Sequence, residues 1–208
     1  MAIKKNDEPE VISLARIERK IVLVPIEGVT PLIPHNWSEK ARRLMRFAQG
    51  IAVDGMDPGV KAAREAKDPQ AEAEASLYRL DDGRPGMPAT AFKAAIADAS
   101  RDFAKLTIVQ VKQSVFVHGD GTDQLVAVEG EMTMREDMPR NANGNADLRY
   151  RYAIWPWRAN LVVEFKANFL NEASIIALVD AAGDGGIGDW RPSAPKSKTG
   201  TFGRFHVQ

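Results

Sequence analysis

Cysteine is absent from this chain of 208 residues. That removes disulfide scaffolds, zinc–thiolate sites, iron–sulfur clusters and thiol nucleophiles together. Long apolar runs are absent too: none approaches the roughly 20 residues of a membrane-spanning helix. Met1 to Glu10 (MAIKKNDEPE) is polar and acidic rather than a secretory leader. The expectation is a cytoplasmic protein with no membrane partner. Nor does one sign of charge dominate, because 28 basic residues balance 28 acidic ones, so a nucleic-acid role has to come from a local surface. Histidine is scarce. His35, His118 and His206 stand at no metal-ligand spacing, so neither a metal nor another cofactor is expected. The acidic pairs Asp81-Asp82 and Glu72/Glu74 read as solvated surface rather than as a two-carboxylate site.

What is present is an ordinary globular composition, 44% hydrophobic and 27% charged, enough for one domain over 1–208. Ile17 to Ile26 (IERKIVLVPI) is rich in β-branched residues and reads as a first strand ending at Gly28. From Gly28 to Met87 strand signals vanish, and prolines and glycines separate short helical pieces such as Ser38 to Phe47. A stretch of this length without strands is too long for a loop, and 36–87 is expected to be an inserted helical lobe. A helix opens at Met87-Pro88-Ala89-Thr90 and buries Phe92, Ala95, Ile96, Ala99 and Phe103 as one stripe, with Lys93, Ala97 and Arg101 on another face.

Leu106 to Val117 and Leu125 to Met134 read as two strands joined by the Asp120-Gly121 turn into an antiparallel hairpin. A polar turn at Asn143-Gly144 precedes Leu148 to Ile154, where Arg149 and Arg151 alternate with apolar residues and form a basic face. The hairpin of 135–158 is read as a second insertion. Leu161 to Lys166 is a further strand. Asn171 to Ala182 is a second helix, with Asn171 as N-cap and Gly183 past its end. A glycine-rich segment then leads into a last strand, Thr201 to Val207. With the insertions removed the order is βαββαβ, a ferredoxin-like (RRM-like) α+β fold with both helices on one face of an antiparallel sheet.

Three segments are candidates for chemistry. In Gly183 to Phe205 (GDGGIGDWRPSAPKSKTGTFGRF), Gly186, Gly188 and Gly203 bracket Trp190, Arg191, Lys196, Lys198 and Arg204. Such a loop is suited either to embracing a phosphate backbone, with Trp190 or Phe202 stacking on bases, or to serving as a plain connector. A dinucleotide-binding fingerprint is excluded because the glycines follow a helix rather than a strand. Thr90 and Lys93 occupy the first turn of a helix, where amides and the helix dipole favour an anion, and Arg101 lies two turns on. Arg149 and Arg151, with Trp155 and Trp157 close behind, could track a strand by charge and stacking, or guard a sheet edge. His35 is the one histidine worth testing as a general base.

The order of elements and three of these segments resemble the RAMP superfamily, the RNA-binding backbone proteins of CRISPR effector complexes. Gly28-Val29-Thr30-Pro31-Leu32 is similar to the family's turn after its first strand. Met87-Pro88-Ala89-Thr90-Ala91-Phe92-Lys93-Ala94-Ala95-Ile96-Ala97 resembles the segment opening its first helix, with Ala89 and Ala97 in place of its glycine and arginine. Gly186-Ile187-Gly188 through Thr201-Phe202-Gly203-Arg204 resembles its glycine-rich loop. The resemblance implies a non-catalytic, sequence-independent grip on single-stranded RNA (or DNA) between the first helix and that loop. It also implies head-to-tail association with other copies of the chain. The alternatives are a metal-independent endoribonuclease using His35, as in some relatives, and a self-assembling structural protein without nucleic acid.

Overall fold

The computed structural model describes residues 14–53, 67–139, 146–195 and 199–208. Met1 to Glu10, the Asn143-Gly144 turn, Lys196 and Lys198 fall outside them. Seven strands form one antiparallel sheet: β1 (Arg19–Gly28), β2 (Tyr78–Arg79), β3 (Pro85–Pro88), β4 (Val115–His118), β5 (Leu125–Asp137), β6 (Arg149–Lys166) and β7 (Phe205–Val207). Their order is β2-β3-β5-β6-β1-β7, with β4 also on β6. The helices are α1 (Glu39–Ala48), α2 (Pro69–Ala75), α3 (Ala89–Ala99), α4 (Ile108–Ser114) and α5 (Glu172–Gly185). Stripping away β2, β3 and β4 leaves β5-β6-β1-β7 with α3 and α5 between strands, the ferredoxin-like α+β order that the sequence implies.

The core lies between the sheet and the pair α3/α5. Val24 and Ile26 of β1 and Leu161, Val163 and Phe165 of β6 point inward. The alternate residues Ile21 (65% exposed), Leu23 (61%) and Val162 (36%) face the open side of the sheet. The α3 stripe is as the spacing requires, with Phe92, Ala95, Ile96 and Ala99 buried and Phe103 half-buried. Three aromatics tie the layers together. The Phe205 ring stands edge-on to Trp157 at 6.1 Å and to Phe92 at 6.4 Å. The buried indole of Trp157 donates to the Thr30 carbonyl at 2.8 Å.

Helix ends follow their local chemistry. Ser38 accepts from Ala41 N at 3.2 Å and starts α1. Asp68 accepts from Gln70 N and Ala71 N ahead of Pro69 and starts α2. Asn171 accepts from Ser174 N at 2.8 Å and starts α5, which runs to the left-handed Gly186 (φ +67°).

Five sequence expectations change. Most of Leu106 to Val117 is not a strand: Thr107 and Gln110 form a reciprocal capping box that starts α4, and only Val115–His118 is extended. The Asp120-Gly121 turn closes as expected, with Asp120 N on Leu125 O at 2.7 Å, but its two arms do not pair. Instead β4 and β5 lie end to end along the same edge of β6. Leu148 to Ile154 and Leu161 to Lys166 belong to one 18-residue strand, β6. Thr201 to Arg204 stays in the loop and only Phe205–Val207 pairs with β1. The 36–87 stretch contains α1 and α2 but also ends in β2 and β3. Its Pro-Gly-Met-Pro run carries too little strand propensity to be read as such, yet pairs with β5 near the sheet edge, where proline is tolerated.

A methyl group at Gly183 would overlap the Phe205 carbonyl oxygen, whereas one at Gly185 meets only Ser193 at ordinary distance. Gly183→Ala should therefore cost about 1–3 kcal/mol by forcing α5 off β7. Gly185→Ala should be neutral or stabilise by less than about 1 kcal/mol. Urea unfolding midpoints of the two variants provide the measurement.

Candidate nucleic-acid interface

Arg151 is the residue whose placement departs furthest from its alternation. Its side chain is 4% exposed, not part of a basic solvent face. The reason is that both faces of the β5–β6 hairpin are covered. On one side Tyr152 is held by α2, its hydroxyl between Gln70 Nε2 (2.7 Å) and Glu74 (3.1 Å) and its amide on Ser76 Oγ. On the other side the glycine-rich loop lies over Arg151, which donates through Nη1 to the Asp189 carboxylate. Arg149 stays half-exposed and donates to Asp147 at 3.2 Å.

Asp189 is the hub of this region. It also accepts from His35 Nδ1 at 3.0 Å and, at Oδ1, from its neighbour Trp190 N at 3.1 Å, while its own amide donates to Ile33 O. Burial works against its ionisation, but the His35 hydrogen bond and the Arg151 charge outweigh that and hold its carboxyl at about 2. Burial lowers the Arg151 pKa, with Asp189 opposing the shift. Trp190, at a left-handed φ of +54°, lies 5.2 Å from the Arg151 guanidinium and 6.0 Å from the Phe202 ring, which Arg135 covers at 4.9 Å. Trp190 and Phe202, considered for stacking on bases, are thus already stacked on arginines of this chain.

The loop glycines serve close packing. Gly188 (φ +78°) and Gly203 (φ +67°) sit where any side chain would strike the Ile33 and Ile187 carbonyls respectively. Gly203 N donates to Pro31 O and Ile187 N to Gly203 O, so the loop is knitted to the turn after β1. Arg191 braces it internally, through Nη1 on Gly188 O (2.9 Å) and Nε on Ser193 Oγ (3.1 Å). Arg204 pairs with Asp184 at 2.7 Å, and its backbone holds Val29 and Thr30.

This construction leaves two clefts. The first, about 470 Å³, lies between the start of α3 and the loop; Thr90, Ala91, Gly188 and Arg191 line it, together with His35 and Trp37. Pro88 gives α3 no side-chain cap, and only the Ala89 amide is taken, by Gln124 O. The amides of Thr90 and Ala91 therefore stand in the cleft wall at the positive end of the helix. The second cleft, about 640 Å³, shares His35 and Trp37 and extends between α1, α2 and the start of β6, with Arg149 and Arg151 in its wall.

Of the residues singled out from sequence, His35, Thr90, Gly188 and Arg191 meet in the first cleft, and Arg149 and Arg151 with His35 in the second. Lys93 is elsewhere, its ammonium 4.2 Å from the Phe116 ring. Arg101 sits in the 3-10 turn after α3 and pairs with Asp98 at 3.6 Å. The Ala97 between them is buried, so these two cations do not share a solvent face. Asp189 and Trp37 were not singled out. Trp37, 52% exposed beside a helix start, is the one that its sequence context (Pro34-His35-Asn36-Trp37) could have flagged.

No family model matches the chain, and no curated protein matches it. Solved structures do. One, described as the Type III-B Cmr-beta bound to cognate target RNA, is 13% identical with a TM-score of 0.43, over 91% of this chain and 59% of that one. The other, Cmr6 from Pyrococcus furiosus, is 10% identical with a TM-score of 0.43, over 91% of this chain and 98% of that one. The chain thus spans well under two thirds of the first. No helix among the described residues is long and apolar enough to cross a membrane.

Removing the Asp189 charge leaves Arg151 buried without its counter-ion, so Asp189→Asn should destabilise by about 3 kcal/mol, read as a lower urea midpoint. The acid response has a defined sign. Because the folded carboxyl titrates below the unfolded one, its contribution of roughly 2 kcal/mol is fully present above about pH 4 and is lost as pH falls towards about 2. The wild type should show that loss in acid titrations of stability and Asp189→Asn should not.

Proposed function

We propose that the chain holds single-stranded RNA in the first cleft, without catalysis and without reading sequence along the backbone. The observation that supports this most is the uncapped start of α3 facing Gly188 and Arg191 across a groove with the exposed indole of Trp37 at its end. Free amides, a helix dipole and a guanidinium suit a phosphate, and an exposed tryptophan suits a base whatever its identity. The resemblance of residues 28–32, 87–97 and 186–204 to RAMP segments points to RNA rather than DNA, and to copies joined head to tail along the strand. In such an association the two contacting surfaces differ and the rotation need not close.

Trp37→Ala should weaken binding of a labelled single-stranded RNA by about 1–3 kcal/mol. Arg191→Ala should weaken it alike for all sequences and reduce the slope of log affinity against log salt by about one. Fluorescence anisotropy across a salt series measures both. Size-exclusion profiles with RNAs of increasing length should show particles growing in steps of one chain, and nuclease should collapse them. Unchanged affinity in both variants would remove the cleft from the reading.

The His35–Asp189 contact favours a second reading, metal-independent RNA cleavage. Asp189 fixes Nδ1, and among the described residues Nε2 has no partner, so it is free to take a proton from a 2′-hydroxyl attacking the adjacent phosphate. The products would be a 2′,3′-cyclic phosphate and a 5′-hydroxyl. Binding is preferred because the Asp189 charge is already neutralised by Arg151. Incubating a labelled RNA with the protein in chelator decides it: on the binding reading the RNA stays intact, whereas cleavage lost in His35→Ala would establish catalysis.

A further inference from the structure

The second cleft differs from the first in one unpaired carboxylate. Its walls carry three carboxylates, Glu39, Asp68 and Glu72, against the guanidiniums of Arg149 and Arg151. Each guanidinium has one carboxylate partner, Arg149 Nε with Asp147 and Arg151 Nη1 with Asp189. Glu39 is paired with Arg46, and Asp68 caps α2. Glu72, half-buried on α2, has no partner among the described residues. The Tyr150 phenol is held above its ordinary range by its hydrogen bond to Glu136, with burial and the charges of Glu136 and Glu72 adding to this. Glu72 and Tyr150 line the same cleft. The cleft thus offers one unpaired acceptor group, and the buried Arg151 Nη2 in its wall is a donor without a partner.

Part of its lining is apolar. Ala71 and Ala75, one turn apart on α2, and Ala41 on α1 contribute methyl groups only, and Trp37 stands at the rim shared with the first cleft. The volume of about 640 Å³ is within the range that small ligands occupy. A planar, uncharged ring carrying adjacent N–H donors suits a lining that combines alanine methyls, an exposed indole and one unpaired carboxylate. Among the four RNA bases only guanine offers two adjacent donors, N1–H and N2–H, to a carboxylate. Adenine and cytosine offer one amino group beside an acceptor, and uracil one imino group between two carbonyls.

We infer that this cleft is a base subsite selective for guanine, with Trp37 as the stacking surface and the Glu72 carboxylate accepting from N1–H and N2–H. It rests on the reading of the first cleft as the seat of the RNA backbone. A strand lying there needs only to turn one base past Trp37 to enter the second cleft, and the backbone grip elsewhere stays indifferent to sequence. Glu72 then has a role beyond the surface solvation that its sequence context indicates.

The test titrates the free nucleosides guanosine, adenosine and uridine, and separately a uridine dodecamer, into the full chain. Saturation-transfer NMR reads the nucleosides and anisotropy the dodecamer. Guanosine should bind about tenfold or more tighter than adenosine, the discrimination of one bidentate pair. Glu72→Gln should erase that preference while the variant's thermal unfolding matches wild type, and Trp37→Ala should weaken all three nucleosides. Equal binding of guanosine and adenosine, or a preference that survives Glu72→Gln, overturns the inference. The dodecamer separates the two ideas. If it binds while guanosine shows no preference, the subsite falls and the backbone groove stands. If guanosine is selected while the dodecamer does not bind, the subsite stands and the groove falls.

Discussion

The buried pair between Arg151 and Asp189 is the contact on which the functional surface depends. Two charges have been taken largely out of water, which is tolerable only if each keeps its partner in good geometry. Arg151 is fixed because it belongs to an 18-residue central strand. The loop must therefore come to it, and Asp189 brings Trp190 onto the guanidinium and His35 onto the carboxylate. One ion pair thus positions three walls: the glycine-rich loop, the segment after β1, and the start of β6.

The glycines complete what the ion pair begins. Gly188 and Gly203 allow the loop to pass against the carbonyls of Ile33 and Ile187 where no side chain fits, so the loop is a packed layer, not a flexible strap. Its backbone amides are largely committed to this chain, at Ile187, Asp189, Phe202 and Gly203. The groove's capacity for an anion therefore comes mostly from the uncapped start of α3 and from Arg191, with the loop acting as the opposite wall. On the proposed reading this is also how a chain of zero formal net charge presents a local site for phosphate: the attraction is carried by a helix end and one guanidinium.

On the proposed reading, the two clefts divide the labour of gripping a nucleotide. The start of α3, Arg191, Asp98 and Asp189 line the first, alanine methyls, three carboxylates and two guanidiniums the second, and the indole of Trp37 lines both. On that reading the backbone lies in the first and a base in the second, where the Trp37 indole, the alanine methyls and the unpaired Glu72 carboxylate line the space.

Local signals in the sequence were sufficient for the first strand, the apolar stripe of α3, the Asn171 cap of α5 and the βαββαβ order, because each is decided by residues within a turn or two of one another. They also carried the choice of His35, Thr90 and Arg191, though not the fact that these meet. The Thr107–Gln110 capping box was legible and outweighs the β-branched run after it. Tertiary structure alone decided the rest. Strict alternation assigned Arg151 to solvent, but a strand covered on both faces has no solvent face, and only the fold shows that α2 and the loop cover this one. Whether β4 pairs with β5 or lies in line with it on β6 depends on a partner nearly fifty positions away in the chain. Asp189 and Trp37 acquire meaning only from neighbours that the fold delivers, since a carboxylate becomes a hub when a distant arginine is buried against it.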